Sequence, residues 1–214
     1  MTPEERFNQN MSSYERLYQI YREVKGSGRG PNDLGALRRS MIILMCGSWE
    51  AYFEDEVLFT LSVRLNGLTN PHQLPEGLRL SVYDAMHSKE GHFADLDARD
   101  LVWQLSGDGW KGHIYQWVDN KIKNFNTPKT KQIDDVFRKV FGGGKLSDNW
   151  NWAGQSAVSS KRKLNEFVSL RGDIAHARLD DEHIVSIGTV TNRATFLRGL
   201  VRNSVPIFQQ LRNV

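Results

Sequence analysis

Residues 170 to 177, Leu-Arg-Gly-Asp-Ile-Ala-His-Ala, set the guanidinium of Arg171 five residues ahead of the imidazole of His176; an arginine is permanently charged, and a histidine as a residue type titrates near neutral pH. An arginine binds a phosphate and stabilises charge that builds on its oxygens; a histidine moves a proton. Together they suffice for metal-free attack of a ribose 2′-hydroxyl on the neighbouring phosphate. On a helix, residues five apart are offset by about 140° around the axis and about 7.5 Å along it, so the two side chains do not touch but can flank one phosphate. Asp173 precedes His176 by three and shares its face, where a carboxylate orients the ring or raises its pKa.

The spacing taken alone is a weak signal. With 17 Arg and 6 His in 214 residues, about half such a pair arises by chance, and Arg178…His183 is a second one. Context separates them. The second pair spans Leu179-Asp180-Asp181-Glu182, an acidic helix end that repels phosphate, whereas the first lies on a strong helical pattern that continues the basic run Lys161-Arg162-Lys163. Lys161, Arg162, Lys163 and Arg178 are the candidate RNA-binding cations. In the structural alternative, Arg171 and His176 pair with carboxylates such as Glu50 or Glu54 and satisfy a bundle interior.

Net charge is +3, but it is uneven: residues 1–110 carry −5 and residues 111–214 carry +8. A basic second half containing the Arg/His pair suits an anionic partner, although a solvated helical surface accounts for the charge equally well. With 39% hydrophobic and 25% charged residues, the balance is that of a soluble globular chain. The start, Met1-Thr2-Pro3-Glu4-Glu5, lacks the layout of a secretory signal, and the densest apolar run, Met41–Cys46, is too short to span a bilayer. The expectation is a cytoplasmic protein without a membrane partner. Cys46, the single cysteine, reads as a buried thiol.

The elements that must position the pair read almost entirely as helices. Helical spacing predicts a first helix over 3–25 and a second from a cap at Asn32 or Asp33 to about Asn66, apolar on nearly every face between Met41 and Phe59 and therefore central to a bundle. Shorter helices follow over about 76–88, 97–103, 109–125 and 130–141, with Lys89–Asp97 read as a polar surface connection. Trp150 and Trp152 are expected to pin the irregular stretch 146–154 to the bundle. From about Ser156 a long helix carries Leu164, Phe167, Val168, Leu170 and Ile174 to residue 177 or 178. Residues 183–188 alternate and read as a short strand or an extended linker, and a last helix covers 193–211, within a helical region of about 191–213, with Pro206 as a kink or break. The predicted architecture is an all-α bundle of about five to seven helices in a single domain, 1–214, with its core at about 34–178. His87 and His92 near Asp95, Asp97 and Asp100 lack metal-site spacing, Gly142-Gly143-Gly144-Lys145 lacks the context of a phosphate loop, and no cofactor motif occurs.

The Arg171-to-His176 stretch resembles the Arg-x4-6-His signature of the HEPN superfamily, whose members are all-α bundles and often ribonucleases of toxin–antitoxin, anti-phage and RNA-processing systems. Arg39–Met45 followed by Trp49-Glu50-Ala51-Tyr52-Phe53-Glu54-Asp55 resembles the early helix of the RiboL-PSP type of HEPN domain, an apolar run and then an acidic-aromatic cluster. The segment from Thr127-Pro128 to Phe141-Gly142 is similar to a helix that ends in glycine in that family. The likeness covers about residues 34–178. It implies Arg171 and His176 as the catalytic pair of a metal-independent endoribonuclease, a toxin or defence component, working as a homodimer on RNA without a cofactor, with an antitoxin or another defence protein as a possible partner. The alternative is a catalytically inactive HEPN-like adaptor that binds RNA or protein. The position after the arginine, commonly Asn, Asp or His in the superfamily, is Gly172 here; the polar side chain follows at Asp173. Glu50, an acid in an apolar helix that needs a partner such as Arg171, is a supporting residue alongside Asp173.

Overall fold

Apolar residues at helical spacing define the first helix, α1 (Pro3–Gly26), which buries Phe7, Met11, Tyr14 and Tyr21. Its N-terminus is closed reciprocally: the Thr2 N–H donates to Glu5 Oε2 (2.7 Å), and the Glu5 N–H to Thr2 Oγ1 (3.2 Å). The structure, a computed structural model, describes residues 1–26, 34–123, 125, 128–176 and 185–213. These residues are all-α. After α1 come α2 (Gly35–Gly67), α3 (Glu76–Ser88), α4 (Ala98–Gln104), α5 (Gly109–Lys123), α6 (Thr130–Phe141), α7 (Ala157–Ala175) and α8 (Ile187–Arg212). The seven-residue α4, capped by the Asp97 carboxylate on the Arg99 N–H, brings the count among the described residues to eight.

The chain divides into two compact units, one formed by Met1–Phe53 with Trp150–Val205 and the other by Glu54–Asn149 with Pro206–Val214. In the first unit, α2 buries Met41, Ile42, Met45, Cys46, Trp49, Tyr52 and Phe53. The burial is broad but not complete, since Ile43 and Leu44 are each more than a third exposed. Trp150 anchors the stretch before α7. It is inaccessible to solvent, lies edge-on to Trp49 at 5.9 Å, and donates its indole N–H to Ser204 Oγ at 2.9 Å. In the second unit, Phe137, Phe141 and Phe208 form an edge-to-face triad, and the buried Asp134 carboxylate accepts from the N–H and hydroxyl of Ser147 at 3.0 and 2.7 Å. Glu56, almost wholly buried, is neutralised by Arg212 at 2.9 Å.

Three sequence expectations change. Of the short strand or extended linker expected over 183–188, Ile187 and Gly188 instead begin α8, because Ser186 caps it: its hydroxyl accepts the Thr189 N–H at 3.0 Å and its carbonyl accepts the Val190 N–H. His183 and Ile184 lie outside the described residues, as do Asn32 and Asp33, the expected caps of α2. Pro206 does not break α8, which continues to Arg212; the proline sits on the exposed side, where water can satisfy the carbonyl left without its N–H partner. Lys89–Asp97 is not wholly a surface connection, since Phe93 within it is 2% exposed and its ring stacks with His113.

Candidate active site at the end of helix α7

Helix α7 starts at Ser156, whose side chain accepts the Ser159 N–H, and its rotation is fixed by the buried stripe Ser160, Leu164, Phe167 and Val168. Arg171 follows Leu164 by seven, Phe167 by four and Val168 by three, so it continues that stripe. It is half-buried. Its charge reaches α2, where it pulls down the pKa values of both Glu50 and Cys46.

Burial wins at both groups. The Glu50 carboxyl is held above its ordinary value by desolvation, only partly offset by Arg171, and its Oε1 is shielded from solvent without a hydrogen-bond partner. The Cys46 thiol is pushed up to about 12 by burial and by the neighbouring Glu50 charge, against the pull of Arg171. A thiol in that state is not a nucleophile at neutral pH.

His176 closes the helix. Its backbone has left helical geometry (φ −96°, ψ 11°), its N–H still donates to the Gly172 carbonyl at 3.0 Å, and its side chain is exposed. Asp173 is half-buried on the same turn; among the described residues no hydrogen bond joins it to His176. An exposed imidazole and a half-buried arginine thus share one helix end, with Glu50 within electrostatic range of Arg171. Arg178 and the rival pair Arg178…His183 lie outside the described residues.

The basic run sits at the other end of α7. Lys161 is half-buried there. Arg162 pairs with Glu166 at 2.6 Å, and Lys163 donates to Gln155 Oε1 at 2.6 Å. Both line a groove of about 580 Å³ between α7 and α8, together with Trp152, Gln155, Arg193 and Phe196. Arg193 ties the helices together by donating to the Lys163 carbonyl at 2.9 Å. Sequence reasoning did not find Gln155 or Arg193; Trp152, expected to pin the irregular stretch to the bundle, lies against Gly199 and Phe196 of α8. Gly199 of α8 leaves the space that Trp152 fills: a Cβ there would lie 2.7 Å from Cζ2 of Trp152. His92, weighed with His87 for metal binding, is hydrogen-bonded to His113 across 2.9 Å. Among the described residues, no group of three or more His, Cys, Asp and Glu side chains is placed to hold a metal ion, and no helix is long and apolar enough to cross a membrane.

The family model described as RiboL-PSP-HEPN matches residues 5–208 of the chain. No curated protein and no solved structure matches it.

Proposed function

Given that the chain belongs to the RiboL-PSP-HEPN family, we propose that it is a metal-independent endoribonuclease whose catalytic groups are Arg171 and His176. The neutral His176 imidazole takes the proton of a ribose 2′-hydroxyl, and the 2′-oxygen attacks the adjacent phosphorus. Arg171 stabilises the charge on the phosphoryl oxygens. The P–O5′ bond breaks, leaving a 2′,3′-cyclic phosphate, and the departing 5′-oxygen is protonated by His176 of a second copy of the chain. DNA lacks the nucleophile and is not a substrate.

What supports the reading is the arrangement at the end of α7, where Arg171 is half-buried on the helix's buried stripe and the His176 side chain is exposed. Asp173 or Glu50 supplies the carboxylate support that Gly172 cannot. Lys161, Arg162, Lys163 and Arg178 attract the RNA backbone. The biological role is that of a toxin or anti-phage defence component, restrained by an antitoxin or another defence protein.

The test uses purified wild type and His176→Ala with mixed cellular RNA in EDTA. Wild type should cut and the variant should lose about 10²–10⁴ in rate, the usual contribution of a positioned acid–base group. Equal cleavage by both, or cleavage that needs added metal, refutes the mechanism. One observation favours a second reading, a catalytically inactive HEPN-like adaptor: the Arg171 charge already acts on the Glu50 carboxyl within the chain. That reading requires RNA or protein binding that survives both Arg171→Ala and His176→Ala, with no cleavage by wild type.

A further inference from the structure

The groove between α7 and α8 has the chemistry of a nucleotide seat. Arg162, Lys163 and Arg193 face a single carboxylate, Glu166, which lies 2.6 Å from Arg162 and 3.5 Å from Arg193. Among the described residues Lys163 is matched by the neutral oxygen of Gln155 and by no carboxylate, so the lining keeps an excess of positive charge. Gln155 supplies an independent sign. It is 9% exposed and lines the groove, and while its Oε1 accepts from Lys163, its Nε2 is shielded from solvent and has no acceptor. Leaving a buried amide donor unmatched is costly, and a turn of the Gln155 amide toward the groove would bring it to an anionic or carbonyl oxygen bound there.

The apolar wall is aromatic. Trp152 and Phe196 lie 6.2 Å apart at 33°, and the indole approaches α8 closely because residue 199 is glycine. Trp152 and Thr195 also line a second cavity, of about 320 Å³, which contains Arg198 and Arg202. Arg198 is paired with Glu15 at 2.6 Å; Arg202 is exposed and unpaired among the described residues. One indole therefore stands between two cationic cavities. That arrangement fits successive nucleotides of a strand better than a single free nucleotide, and a duplex would hide the base faces.

We propose that this groove binds a single-stranded RNA segment, with a base against Trp152 and Phe196 and the flanking phosphates on Lys163, Arg193 and Arg202. The choice of RNA rests on the nuclease reading above. Arg162 and His176, fourteen residues apart, fall within about 40° of each other around α7 and about 21 Å along it. A strand leaving the groove along that side reaches the helix end after a few nucleotides, so cleavage depends on the single-stranded flank of the scissile bond.

The experiment measures anisotropy of a labelled, fully 2′-O-methylated single-stranded RNA, which cannot be cut, with wild type, His176→Ala, Trp152→Leu and Arg202→Gln. Wild type and His176→Ala should bind alike. Trp152→Leu should weaken binding about tenfold or more, and Arg202→Gln should weaken it and flatten the slope of log affinity against log salt by about 0.7. Arg202 is exposed, so its variant remains informative if Trp152→Leu fails to fold. The proposal is overturned by groove variants that bind like wild type, by a duplex that binds as tightly as the single strand, or by a nucleoside monophosphate that competes as well as the oligomer, which marks a free-nucleotide site instead. If the groove variants lose binding while wild type cuts no RNA, the groove stands and only the nuclease reading falls.

Discussion

Glu50 carries a conflict that can be read out by pH. Burial disfavours its charge and Arg171 favours it, with burial the larger effect. Because the folded pKa is raised, folding favours the protonated acid. The favourable contribution is present below the unfolded value and is lost as pH rises through the folded one. In Glu50→Gln this part of the pH dependence disappears. The melting temperature of the variant relative to wild type should therefore rise between pH 4.5 and 7, and a difference that is flat or falls over that range contradicts the assignment. At this scale the sequence was informative where a residue breaks its own pattern: an acid in the apolar helix α2 signals a need for a cation, and Arg171 lies within electrostatic range. Gln155 and Arg193 break no pattern. Their roles arise from the meeting of α7 and α8, which no local spacing encodes.

Helices α3 and α6 fall at the boundaries their apolar spacing predicts, because an amphipathic stripe with clear stops at both ends specifies a helix locally. Helix α8 was missed over its first turn. The alternation from Ile184 to Ile187 mimics a strand, and the capping hydroxyl of Ser186 decides the matter. Phe93 was missed because a lone aromatic in a polar run carries no period. Two predictions belong to these connections. In Ser204→Ala the buried indole N–H of Trp150 loses its 2.9 Å acceptor, which should cost about 1–3 kcal/mol in urea unfolding at unchanged m-value. The second concerns His92 and His113, whose pKa values are held below the ordinary value, mainly by burial, with mutual repulsion adding at His113. One ring nitrogen must accept from the other, so the bond between them fails when both are protonated. A depressed histidine pKa means the neutral form is favoured on folding. That stability is present above pH 6.5 and lost as pH falls through the folded values. Wild type should lose melting temperature between pH 6.5 and 5, and His113→Gln should lose less; equal slopes refute the coupling.

At the scale of the whole chain, the family match over residues 5–208 extends on both sides of the stretch, 34–178, that the motifs alone suggested. Helices α2 and α8 each contribute one end to each compact unit. The organisation around an all-α core was visible in the periodicity. The division into two units was not, since it depends on which helix faces meet. Cys46 turns one of these units into its own stopwatch. It is the single cysteine of the chain, it is inaccessible, and its thiol is pushed up to about 12. A disulfide reagent can therefore react only when α2 opens away from its neighbours. The native protein should label far more slowly than the urea-unfolded chain, and at saturating reagent the rate should become independent of reagent concentration, reporting opening directly. A substitution in the buried stripe of α7, such as Leu164→Ala, should speed the reaction, whereas Trp103→Ala, at an exposed site in the other unit, should leave it unchanged. One thiol thus gives a kinetic measure of how often the wall behind Arg171 comes apart.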